Sequence, residues 1–206
     1  MCPLEADTSR FRNCPDTGKH MRPARQPASK NPFSTGQSTS DVKASFKKEM
    51  RYILQGWMAR RERLEDLTPH QALVETETPD DWMRRCTYRL VKWLILARHH
   101  DVLPDLVGEI GKRHGSRHDI SDQPFKQALL VMSWWYECKQ QEPMMDRQRR
   151  AELANAMEYA FRHKVQSKHF KRFCKQSQPK RIAKKLASGH VEPGFTLRTV
   201  PLAAAD

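Results

Sequence analysis

The sequence predicts an all-α fold, a compact bundle of about five or six helices with a disordered N-terminal tail and a basic C-terminal helical tail. Three observations carry this. Apolar residues recur three and four apart through most of residues 41–165, the period that lays them on one helix face. Helix-start signatures punctuate the same stretch, as in Thr78-Pro79-Asp80-Asp81: a cap, a proline at the first helical position and two carboxylates at the positive end of the dipole. No segment of four or more residues alternates apolar and polar cleanly enough for a half-buried strand.

Residues 1–40 hold Pro3, Pro15, Pro23, Pro27 and Pro32 among serines and threonines, without a hydrophobic period, and are expected to be disordered. Val42, Phe46, Met50, Ile53, Leu54 and Trp57 share one face of a first helix over residues 41–65, with Asp41 or Ser40 as its N-cap. Thr68-Pro69-His70-Gln71 fits a second, short helix start. The helix opened by Pro79 should run to about residue 100, carrying Trp82, Cys86, Leu90, Trp93, Leu94 and Ala97. Pro104 can start another through Leu106, Val107 and Ile110, with Gly111 or Gly115 as the residue just past its end.

Ser121 can cap a helix through Phe125, Ala128, Leu129, Met132, Trp135 and Tyr136, stopped by Pro143. Leu153, Ala154, Met157, Ala160 and Phe161 form the stripe of a helix over about residues 146–165. That closes the expected helical domain, residues 41–165. Residues 166–206 are the basic tail, helical over about residues 167–187 with a break near Pro179, then disordered.

Charge is unevenly spread. The chain has 206 residues with 37 Lys and Arg against 24 Asp and Glu, a formal net charge of +13. Residues 41–116 carry fourteen bases and twelve acids, whereas residues 151–206 carry eleven and four. Between Phe161 and Ser188 lie ten bases and no acid: Arg162, Lys164, Lys168, Lys171, Arg172, Lys175, Lys180, Arg181, Lys184 and Lys185. Such a run repels itself and calls for a polyanionic partner. Lys164, Lys168, Lys171 and Lys175 would make one cationic stripe on a continuous helix. Phe170 and Phe173 between them can pack on the bundle or stack on unpaired bases, which favours RNA slightly. Lys180-Arg181 and Lys184-Lys185 also have the form of a nuclear-localisation cluster.

Other chemistry finds less support. No GxSxG, HExxH or GxGxxG pattern occurs, and His99-His100-Asp101 are consecutive on a helix end, pointing apart. An enzyme is not expected. His163, His169 and Cys174 have finger-like intervals but no CxxC to complete a zinc site, so neither metal nor cofactor is expected. Gly108-Glu109-Ile110-Gly111 lacks the spacing of a phosphate loop and is expected at a helix end. Asp105 and Glu109 argue against a groove-reading helix. Five cysteines in no paired motif, no apolar N-terminal stretch and no long apolar run predict a soluble intracellular protein, cytoplasmic or nuclear, with free thiols and no membrane span.

The function expected is therefore nucleic-acid binding, mainly through phosphates, by the ten bases with Phe170 and Phe173. The segment is expected to become ordered on contact with the polyanion. The layout resembles that of small viral or mobile-element accessory proteins, which implies an alternative: an adaptor that docks on a host protein, with the tail as an address. Trp134, turned away from Trp135 and Tyr136, is the candidate docking residue, and a homo-oligomeric bundle is compatible with either role.

Overall fold

A computed structural model describes residues 30–68, 77–114, 122–134 and 145–196, and these form seven α-helices and no strand. The helices are α1 (Thr39–Glu65), α2 (Pro79–Leu96), α3 (Val102–His114), α4 (Pro124–Trp134), α5 (Arg147–Arg162), α6 (Phe170–Gln176) and α7 (Ile182–Ala187), with single 3₁₀ turns before α6 and α7. The proposed start at Thr68–Gln71 reaches into residues outside the description, as do the tail to residue 29, Gly115, Ser121, Trp135, Tyr136, Cys138 and Pro143.

Caps set the helix starts. Ser38, not Ser40 or Asp41, caps α1, and its hydroxyl accepts from the Asp41 amide at 3.2 Å. Asp41 is three residues on, where its carboxylate takes the Ser38 hydroxyl at 2.7 Å. Thr78 caps α2 in the same way, and Asp146 caps α5. The α1 stripe from Val42 to Trp57 is buried as its spacing requires. Gly108 and Gly111 lie inside α3, so neither ends a helix. Asp105 and Glu109 face α1, paired with Lys43 and Lys47 at 2.7 Å each.

α2 ends at Leu96 and α5 at Arg162, both earlier than periodicity suggests. In each case a residue two beyond the last helical one turns left-handed, Arg98 at φ 60° and Lys164 at φ 57°. The amides then fold back onto the helix end, His99 to Leu94 and Val165 to Ala160, each at 3.0 Å. Neither terminator is glycine, so periodicity gives no warning of the stop.

One apolar core runs through every helix, and it does not end at residue 165. Phe170 and Phe173 are each 3% exposed and Ile182 is 1% exposed. α6 lies on α2 and α5, and α7 lies on α5. The basic segment is thus the last layer of the bundle. The apolar positions explain this. Burying a phenylalanine or isoleucine contributes about 1.5–3 kcal/mol each, whereas a seven-residue helix is marginal alone.

Tyr88 joins the layers. Its fully buried ring stacks on Phe170 with centroids 4.6 Å apart and on Phe125 at 6.0 Å. Its hydroxyl donates to the Val165 carbonyl at 2.8 Å. Lys92 donates to the same oxygen at 2.9 Å. We expect Tyr88→Phe to lower stability by about 1 kcal/mol. Urea unfolding should show a lower midpoint at an unchanged slope. Lys164→Gly should act oppositely, raising the midpoint by the equivalent of about 1 kcal/mol as left-handed strain is removed.

Candidate nucleic-acid interface

Ten bases enter this segment, and the fold sorts them. Arg162 pairs with Glu158 at 2.8 Å, Lys171 with Asp81 at 2.7 Å and Lys185 with Glu192 at 2.5 Å. The remaining seven, Lys164, Lys168, Arg172, Lys175, Lys180, Arg181 and Lys184, are exposed, with no carboxylate paired to them among the described residues. The continuous stripe through Lys164, Lys168, Lys171 and Lys175 is not formed. Lys164 is in a left-handed turn, Lys168 is in a 3₁₀ turn, and only Lys171 and Lys175 are on α6.

On α6, Phe170 and Phe173 point inward, as does Ser177 just past its end, leaving Arg172 and Lys175 outward. On α7, Ile182 is inward and Lys184 outward, and Lys180 and Arg181 are exposed on the 3₁₀ turn before it. Phe170 and Phe173, nominated as base-stacking residues, are closed to any ligand. Phe170 is under Tyr88, and Phe173 lies within 5.7 Å of Tyr159 and 5.3 Å of both His163 and Phe195. The slight preference for RNA loses the support of these two rings and keeps only that of Asp105 and Glu109, which argue against a groove-reading helix. Trp134, nominated for docking, is half-buried and packs against the core.

Two carboxylates lock the basic helices down. Burial alone would push the Asp81 carboxyl up. Hydrogen bonds from Lys171 and from Thr78, with the charges of Lys171 and Arg84, outweigh burial and hold it below the ordinary range. Burial likewise opposes Glu192, which Lys185 and the Tyr159 hydroxyl hold below its usual value. The same buried contact pushes Tyr159 well above the usual phenol range, through burial first and the Glu192 bond second.

Sequence reasoning passed over this second lock. The Glu192 amide donates to Nε2 of His163 at 3.0 Å, while Nδ1 faces the Tyr159 carbonyl at 2.8 Å. An amide can only donate and a carbonyl only accept, so the imidazole carries its proton on Nδ1. Residues 188–196 thereby strap α7 to α5, with Phe195 edge-on to His163 and Phe173. A signal was present: Glu192 is the one acid between Glu158 and Asp206.

His163 is therefore committed to this strap, and no group of three or more metal-binding side chains occurs among the described residues. Burial pushes the Cys174 thiol up to about 12, and burial also raises Cys86, as expected of unreactive thiols. No helix among the described residues is long and apolar enough to cross a membrane. Comparison with known proteins gives no match to a family model, a curated protein or a solved structure.

The lowered carboxyls predict how the layer responds to acid. Each stays ionised in the folded chain at a pH where the unfolded chain would bind a proton. Their contribution is complete above the unfolded values near 4 and is lost as pH falls through the lower folded ones. The urea midpoint should therefore drop below about pH 4, and Glu192→Gln should shrink that drop. An equal drop in variant and parent would remove Glu192 from this account.

Proposed function

We propose that this protein binds nucleic acid through its phosphates, using Lys164, Lys168, Arg172, Lys175, Lys180, Arg181 and Lys184 on a preformed surface. One observation carries the proposal: seven bases stand exposed on α6, α7 and the turns beside them, a layer whose inner face is core. Like charges gathered on one folded segment repel one another, and counter-charge from a ligand relieves that. Phosphates meet this need with little demand on geometry, and each contact releases counterions.

Because Phe170 and Phe173 are buried, the contacts fall on the backbone and carry little base information. Single strands and duplexes should then bind with comparable affinity. The adaptor alternative gains nothing from Trp134, whose ring is spent on the core.

Deleting residues 161–206 is a poor test, since it removes Phe170, Phe173 and Ile182 from the core. Charge neutralisation is cleaner. Binding of labelled single-stranded RNA and duplex DNA should fall with salt at a logarithmic slope of roughly −5 to −6 if all seven bases engage. Lys168→Gln/Arg172→Gln/Lys175→Gln should cut the slope by about three for duplex and weaken binding at least tenfold. Salt-insensitive binding, or none, would reject the proposal.

A further inference from the structure

The seam between α1 and α2 holds a second set of cations that regional charge counts conceal. Gly56 lies flat against Trp82, where a Cβ would come within 2.5 Å of the indole. That close approach lets the ring lie between the two helices. One turn along, Arg60 lays its guanidinium over the same indole, 3.9 Å from the ring centroid, and donates to the Gly56 carbonyl at 3.1 Å. Stacking and this bond fix the planar group in place.

From α2, Arg85 and Arg89 project one turn apart. Arg89 lies over Trp93 at 5.0 Å, and no carboxylate among the described residues pairs with it. Arg85 takes both oxygens of Glu77, with Nε and Nη2 each at 2.7 Å. All three arginines are half-buried, and their charges all reach the thiol of Cys86. Burial first, and then repulsion from Arg85 and Arg63, lower the affinity of Arg60 for its proton. The Glu77 carboxylate, which Arg85 holds, also acts on the charge of Arg60.

We infer that Arg60, Arg85 and Arg89 form a second phosphate site, which takes a backbone phosphate of the bound nucleic acid beside the place that Glu77 fills. The fork of Arg85 on Glu77 is the geometry in which arginine also grips phosphate. The site joins the first surface without a break. Arg85, Arg89 and Lys92 follow one stripe of α2 at intervals of four and three, advancing about 10 Å. Lys92 ends on the Val165 carbonyl, next to Lys164, where the exposed bases begin. One strand can therefore touch both sets. The inference rests on the nucleic-acid reading above.

The test measures binding of the same labelled strands across a salt series for four full-length proteins: the parent, Arg60→Gln/Arg89→Gln, Glu77→Gln and Lys168→Gln/Arg172→Gln/Lys175→Gln. The double variant should bind about tenfold more weakly, with the slope reduced by about two. Glu77→Gln should bind about threefold more tightly, since it removes the competing anion. A misfolded protein could not show that gain. If the α6 variant is weakened while the double variant and Glu77→Gln match the parent, the inference fails and the proposed function stands. If only the seam variants change, the seam is the site and the α6 surface is not. A parent that binds neither strand overturns both.

Discussion

The carbonyl of Val165 is the point on which the C-terminal layer hangs. Tyr88 and Lys92, one turn apart on α2, both donate to it. The Tyr88 ring meanwhile fills the space between Phe125 of α4 and Phe170 of α6. A buried carbonyl needs a partner, and a buried phenol is costly without one. Pairing them solves both demands and fixes where the chain leaves α5. Eight of the ten bases of the C-terminal segment lie beyond that corner, so the position of the charged helices depends on one tyrosine in the middle of the bundle.

The C-terminal layer balances two opposing tendencies. Its bases repel each other, though only over about a Debye length of 8 Å at physiological salt. Its apolar residues anchor it to α2 and α5, and Asp81 and Glu192 each neutralise one lysine where the layer meets the bundle. The charges left over are those facing water. A binding surface of this kind is a remainder, set by which bases the core contacts consume.

Much of this was legible in the sequence. The α1 stripe from Val42 to Trp57, the Thr78 cap and the all-helical class follow from spacing and from cap chemistry that act within a few residues. What escaped depends on distant pairing or on single dihedrals. Lys164 and Arg98 stop helices with a left-handed turn, and nothing in lysine or arginine announces that conformation. Whether Phe170 and Phe173 face in or out is decided by Tyr88 and Tyr159, far away in the chain. Arg60 meets Trp82 from the neighbouring helix, 22 residues away in the chain, so a count of charges over residues 41–116 averages the seam to near neutrality.

Ile182 has a consequence for any receptor that reads Lys180, Arg181, Lys184 and Lys185 as an extended address. In a strand the chain rises about twice as far per residue as in a helix, and its side chains alternate between two sides. To be read that way, α7 must unwind and surrender an isoleucine that is 1% exposed, at about 1.5–3 kcal/mol before any strap contact is broken. An address in this segment would thus be hidden in the folded protein and shown by a small minority of molecules. Partners that accept the helix as it stands would compete for it with a thermodynamic head start.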